Sequence, residues 1–262
     1  AVDRVSVAKP DTDTSPFDWG TGASRSTVVM GLAVESAARD VLRQIGAMAA
    51  DAFGMDAAAV RLTDAGVSDG RQTRPLDALF QAIYGVDSGE VIGQGVITPR
   101  AFDGKLGQAP LFWETSAGAC VLDVDEETGR VRVERYVSVA EVGKVLNPAG
   151  AEGQDEGAAV QGLGHALYEE LRYANGQPIN FNAFDYHVPR IDEAPEELVT
   201  ILLESGDGPG PGGARGMVEG GILPMAPAIA NALARGYGIR IHDLPITPER
   251  VWRALRARKD AD

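Results

Sequence analysis

The chain has 262 residues, 44% of them hydrophobic, which suffices for a sizeable core in one large domain or two small ones. Its 38 acidic residues outnumber the 24 basic ones, giving a net charge of -14, so the surface repels nucleic acid and anionic membrane and neither is expected as a partner. A single cysteine, Cys120, excludes an intrachain disulfide framework and any cysteine-ligated zinc or iron–sulfur centre made by this chain alone.

A reducing, cytoplasmic setting fits this cysteine usage. The opening AVDRVSVAKPDTDTSP has neither the basic nor the apolar region of a secretory leader, and no stretch approaches the roughly 20 apolar residues of a spanning helix.

Val2, Val5 and Val7 alternate with polar residues and predict a short strand running into a proline-marked loop. From Thr27 to Phe53, Val34, Ala37, Val41, Leu42, Ile45 and Met48 recur at helical spacing, and Gly54 follows as a C-terminal cap. AVRLT predicts a short strand, RPLDALFQAIYG a helix with proline near its first turn, and GEVIGQGVITP an extended segment. The clearest hairpin is SAGACVLDVDEETGRVRVERYVSVAEVG, two alternating strands about the turn Glu126-Glu127-Thr128-Gly129.

Residues 149–173 predict a long helix with more glycine than an isolated helix tolerates, each worth about 1 kcal/mol against alanine. Such glycines usually permit close approach of another backbone or a ligand. INFNAFDYHVPR is expected to be extended, ELVTILLES a strand and GDGPGPGGARG a loop. Two helices close the chain: Met225–Ala234, and Pro248 to about Arg258 with Thr247 as N-cap. The elements mix strands and helices without a strict βα alternation, an α+β pattern.

Several motifs carry little chemistry. GPGPGG (residues 208–213) matches the spacing of a dinucleotide fingerprint, but Pro209 and Pro211 remove amide donors and no helix follows at once, so it reads as a loop. His165, His187 and His242 lack metal-ligand spacing, no protein metal ligand is expected, and no G-x-S-x-G elbow is present.

Three places carry more. In DWGTGASRSTVV, small residues and hydroxyls precede the strongest helix; free amides at its N-terminus, with Ser24, Arg25, Ser26 and Thr27, suit an anion such as phosphate, or else simply cap the helix. Gln154 is a neutral amide near the start of the glycine-bearing helix, and by itself reads as a surface or capping residue. Glu219 stands alone in GARGMVEGGILPMAPAIANAL. Desolvation there would favour its neutral form, the condition for a general base near neutrality, while exposure would make it a helix-start carboxylate.

DTDTSPFDWGTGASRST, EVGKVLNPAGAEGQDEGAAVQGLGHALYEEL, INFNAFDYHVPR and ARGMVEGGILPMAPAIANAL, ending in GIRIHDLPITPERVWRAL, together resemble the molybdenum-binding subunit of the xanthine dehydrogenase/aldehyde oxidase family of molybdenum hydroxylases. The resemblance implies an α+β fold, a C-terminal molybdopterin-binding domain over 1–262, and hydroxylation of an aldehyde or aromatic N-heterocycle with water-derived oxygen. It implies Glu219 as the proton-accepting catalytic residue, Gln154 at the pterin–metal head, and Gly22, Ala23, Ser24, Arg25, Ser26 and Thr27 in the loop for the cofactor's pyrophosphate end. It also implies molybdopterin in its cytosine dinucleotide form, with [2Fe-2S] and FAD on partner subunits.

The sequence departs from the family in two respects. Val218-Glu219-Gly220 stands where the family commonly has Gly-Glu-Pro, and the chain matches only the last third of a usual molybdenum subunit. The expectation is therefore one part of a split subunit, or a fragment, its remaining contacts and most of its substrate pocket supplied by another polypeptide. A non-catalytic scaffold or assembly subunit of such a complex is the alternative.

Overall fold

The computed structural model describes residues 2–18, 20–98 and 110–260. Helix α1 (Ser26–Phe53) begins one residue before its expected start and stops at Gly54, whose left-handed backbone (φ 64°) turns its N–H back to the carbonyl of Ala50. The C-terminal half of α1 buries Ile45 and Ala49 against a small antiparallel sheet, β1 (Arg61–Thr63), β2 (Gly66–Ser68) and β3 (Thr73–Arg74), and against α2 (Leu76–Tyr84). Val67 and Leu79 fill this smaller core.

Residues 89–98 form no strand and rest on α1. A Cβ on Gly93 would lie 2.2 Å from the carbonyl oxygen of Ala37, and one on Gly95 2.0 Å from that of Ala33, so only glycine fits at either place. Pro99, the last residue of the expected extended segment, lies outside the described residues.

The larger core is built on the predicted hairpin. Strands β4 (Thr115–Asp125) and β5 (Arg130–Glu141) pair antiparallel about residues 126–129. Helix α3 (Pro148–Leu167) follows, its first turn capped by Asn147, whose side chain accepts the Gly150 N–H at 3.1 Å. It ends six residues before its expected limit. The Gly164 carbonyl accepts both the Tyr168 and Glu169 amides, and the chain turns through Asn175 and Gly176, both at positive φ, to pair β6 (Tyr173–Ala174) with β7 (Gln177–Pro178).

The expected extended segment after this turn instead contains α4 (Ala183–Tyr186), because the Asn182 side chain accepts the Phe184 and Asp185 amides and nucleates a turn. Strand β8 (Glu197–Leu203) joins β5 in parallel, giving the order β4-β5-β8. Helices α5 (Met225–Tyr237) and α6 (Pro248–Lys259) complete the fold, α6 capped by Thr247 as expected.

Val131, Val133 and Tyr136 of β5 meet Leu163 and Ala166 of α3, Met225, Ile229 and Leu233 of α5, and Val251 and Leu255 of α6. The inward face changes phase between Val133 and Tyr136: Val121 pairs with Arg135 and Leu122 with Val133, which leaves Glu134 as a bulge. One extra residue moves every later side chain to the opposite face. Tyr136, Ser138 and Ala140 thereby point into the core, where simple alternation from Val131 would have placed Val137 and Val139.

The predicted N-terminal strand is not formed. Val2–Arg4 make a short 3-10 turn, Val5 and Val7 are exposed, and no strand among the described residues pairs with this stretch, so its backbone has no ladder to join. No helix among the described residues is long and apolar enough to cross a membrane.

Candidate cofactor-binding site

The segment before α1 forms a tight loop. Ala23 (φ 50°) and Ser24 (φ 51°) are consecutive left-handed residues, a conformation costly outside glycine and found where surrounding structure enforces it. The enforcement is visible in the bonds around the loop. Asp18 accepts the Gly20 N–H at 2.6 Å, Arg25 Nη2 donates to the Gly20 carbonyl at 2.9 Å, and the Ser26 hydroxyl donates to Thr21 Oγ1 at 3.0 Å. Arg25 therefore braces the loop from within.

Ser24, Ser26 and Thr27 of this loop, with Thr21, line a cleft of about 260 Å³ whose opposite wall is Asn147, Gly150, Ala151 and Gln154 of the first turns of α3 and the loop before it. Arg215, Met217 and Val218 close one side. The N-termini of α1 and α3 thus converge on one hollow, and each helix directs its positive dipole end and free amides there. Gly22, Ala23 and Arg25 belong to the loop but do not themselves line the cleft.

Gln154 is exposed toward the cleft while its neighbour Asp155 is only 1% exposed. Asp155 anchors the helix from beneath: Ser138 of β5 donates to Oδ1 at 3.0 Å and Thr200 of β8 to Oδ2 at 2.7 Å. The bulge in β5 makes the first of these bonds possible by turning Ser138 inward.

Glu219 begins a one-turn 3-10 helix, Glu219–Ile222, and is exposed on this chain, so these residues alone do not build the desolvated pocket that a catalytic reading asks for. Its backbone N–H points at the Ser24 hydroxyl, 3.4 Å away, which ties the catalytic candidate to the cofactor loop. The same segment comes close to that loop at Gly216, where a Cβ would lie 1.9 Å from the Ser24 carbonyl oxygen. Gly220 keeps an N–H that the family's common proline lacks, and Glu114 Oε2 accepts it at 2.6 Å.

Two cations border the cleft, both paired. Lys144 donates to Glu204 at 2.7 Å, and Arg215 pairs with Glu141 at 3.0 Å and Asp207 at 2.6 Å. Burial pushes the Glu141 carboxyl up, but the Ser205 hydroxyl, the amides of Gly143 and Ser205 and the Arg215 guanidinium outweigh it and hold the group below its ordinary value. The GPGPGG loop belongs to this frame: Gly208 and Gly210 donate to the Gly213 and Ala214 carbonyls, and Pro211 packs on Gly31 of α1, so it closes on itself.

The donor set fits a phosphorylated cofactor. Hydroxyls, amides, two helix N-termini and two cations face the cleft, no carboxylate lines it, and the glycine approach at Gly216 keeps its wall thin. Sequence reasoning missed the β5–α3 connection, where Val142, Lys144, Val145 and Leu146 contribute lining. The available signal was Gly143 (φ 68°), whose Cβ would strike the Gly213 carbonyl at 2.1 Å and which forces that loop against the 206–214 segment. Among the described residues no three His, Cys, Asp or Glu side chains cluster as a metal site.

The molybdopterin cofactor-binding domain family matches residues 1–195. The chain is 31% identical over 255 residues to the 6-hydroxypseudooxynicotine dehydrogenase complex subunit gamma of Paenarthrobacter nicotinovorans, covering 96% of this chain and 32% of that one. It is 31% identical over 253 residues to the xanthine dehydrogenase molybdenum-binding subunit of Escherichia coli O157:H7, covering 94% of this chain and 32% of the relative. Quinoline 2-oxidoreductase from Pseudomonas putida 86 superposes with a TM-score of 0.79 at 22% identity, over 93% of this chain and 32% of that one, which shows the fold. The chain thus spans about a third of the length of these relatives. With its cleft between two helix N-termini, it belongs to the molybdopterin cofactor-binding domain family.

Proposed function

We propose that this chain is the cofactor-holding part of a molybdenum hydroxylase that oxidises an aldehyde or aromatic N-heterocycle with water-derived oxygen. Ser24, Ser26, Thr27 and the α1 amides hold the phosphate end of the cofactor, Gln154 meets its pterin–metal head, and Gly22, Ala23 and Arg25 shape the loop. The bound group supplies the redox-active metal and oxygen-transfer chemistry. Glu219 accepts the proton released as the substrate carbon is oxygenated, the work of a general base.

The observation that carries this reading is the Ser24 hydroxyl, which lines the cleft and accepts the Glu219 N–H, joining the loop and the base in one frame. The exposure of Gln154 and Glu219 on this chain supports a second polypeptide segment, on the same or another chain, that covers the site and completes the substrate pocket. The cytosine dinucleotide form of the cofactor, and [2Fe-2S] and FAD centres elsewhere in the complex, belong to the same proposal.

In the purified complex, Glu219→Gln is expected to keep its molybdenum and pterin while turnover falls about 10²–10⁴-fold, the range of a lost general base. Normal turnover in that variant refutes the assignment. Absence of pterin from the wild-type complex would favour a scaffold role.

A further inference from the structure

The residue after Glu219 is held through both of its backbone polar groups. Gly220 N–H donates to Glu114 Oε2 at 2.6 Å, and the Gly220 carbonyl accepts the Ser116 hydroxyl at 2.7 Å. Gly220 is buried, and a Cβ there would lie 3.0 Å from the same Glu114 oxygen, so the carboxylate is seated directly against the backbone. With the Ser24 hydroxyl at the Glu219 N–H, three side chains from two distant parts of the sequence hold three consecutive peptide groups, 218–219, 219–220 and 220–221.

This arrangement exceeds what a single turn requires. A 3-10 turn with a glycine pair has little intrinsic rigidity, since two glycines bring the greatest backbone freedom of any residues. The segment also borders two hollows: Met217 and Val218 line the cofactor cleft, while Leu223 and Pro224 line a second one of about 530 Å³ that also includes Glu114, Ser116 and Asn231. Gly220 and Gly221 are buried, the latter against Ala158 and Asp155 of α3, while Glu219 itself is exposed, so its own side chain has little packing to orient it and the directional hydrogen bonds to the neighbouring backbone do so. A charged acceptor makes the stronger kind of such bond, roughly twice a neutral one.

We propose that Glu114 and Ser116, at the start of β4, are positioning residues for Glu219: they hold the two peptide groups on either side of Gly220 and so aim the Glu219 carboxylate. This rests on the reading of Glu219 as general base. A mispositioning of about 1 Å at a reacting group costs about 10²-fold in rate, so loss of the clamp is read in turnover and leaves affinity alone.

The test uses the complete complex, with benzaldehyde, hypoxanthine and nicotine as probe substrates and a dye as electron acceptor. Glu114→Ala is expected to lower kcat about 10- to 100-fold with KM within a few-fold and molybdenum content unchanged, while Tm falls by no more than a few degrees for the one stranded amide. Glu114→Gln, whose amide oxygen still accepts from Gly220, is expected to recover most of that loss. Ser116→Ala, which keeps the Glu114 bond, is expected to lose several-fold.

Amide hydrogen exchange gives a readout independent of substrate: the peptide spanning 217–223 is expected to exchange about tenfold faster in Glu114→Ala, with β5 unchanged. Unaltered kcat and exchange in both Glu114→Ala and Ser116→Ala overturn the clamp. So does a loss of kcat that tracks a larger fall in Tm and faster exchange throughout β5, which marks a general structural brace. Normal turnover in Glu219→Gln would instead remove the underlying reading, whatever the Glu114 variants do.

Discussion

Gly216→Ala is the substitution for which the structure and a reading of composition disagree most. A methyl group there would start 1.9 Å from the Ser24 carbonyl oxygen and 2.9 Å from the Phe112 ring. An ordinary carbon–oxygen contact is roughly 3.3 Å, so the 215–219 segment and the 22–26 loop must separate by about 1.4 Å. Neither side yields easily, because Ser24 is already held left-handed and its hydroxyl is engaged at Glu219. Overpacking of this kind costs about 1–3 kcal/mol, which for a domain of this size lowers Tm by about 2–10 °C.

The same energy taken from the cofactor cleft weakens retention of the cofactor about 5- to 150-fold. The assay is molybdenum and pterin content per complex, measured beside a thermal melt. Gly236→Ala in α5 is the control: nothing lies within 4 Å of its added methyl, so helix propensity alone is expected to raise stability by about 1 kcal/mol. Wild-type cofactor content and Tm in Gly216→Ala would refute the close approach and, with it, the shared wall between loop and base.

Other outcomes follow from buried polar groups. Asp155→Ala strands the Ser138 and Thr200 hydroxyls and removes two bonds to a charged acceptor, for a loss of about 3–5 kcal/mol in urea denaturation; Asp155→Asn retains an oxygen and loses about 1–2 kcal/mol. Equal effects of the two would show that the bonds contribute nothing. The folded Glu141 carboxyl is held below its ordinary value of 4.5, so its contribution is complete above that value and fades as pH falls through the folded one. Acid titration should therefore loosen the 205–215 loop in the wild type, and Glu141→Gln should abolish that acid-dependent component; an identical acid response refutes it. Burial pushes the Cys120 thiol up to about 11, leaving about one thiolate in a thousand near pH 8. Iodoacetamide should label Cys120 slowly in the native protein and quickly in concentrated urea, and rapid native labelling would contradict the packing.

Local chemistry was legible wherever it is local in cause. The Thr247 cap, the left-handed Gly54, the 126–129 turn and the periodicity of α1 each depend on residues within one or two turns, and each formed as its spacing predicts. The resemblance brought Gln154, the 22–27 loop and Glu219 together as a group, and the fold sets Gln154 and Ser24 on one cleft with the Glu219 amide against Ser24. Elements that failed needed something outside themselves: the first strand had no partner, and α3 stopped early because an Asn-Gly hairpin competed for its last residues.

The sequence by itself determined the long helices α1, α2, α5 and α6, the caps at Gly54 and Thr247, and the β4–β5 hairpin. Tertiary structure decided which face of β5 points inward, since the unpaired Glu134 reverses the alternation and buries Ser138 beneath Asp155. It also decided that Glu114 and Ser116 serve the peptide after Glu219, more than 100 residues away in the chain. A bulge and a long-range hydrogen bond are settled by the register and docking of whole elements, which no window of neighbouring residues contains.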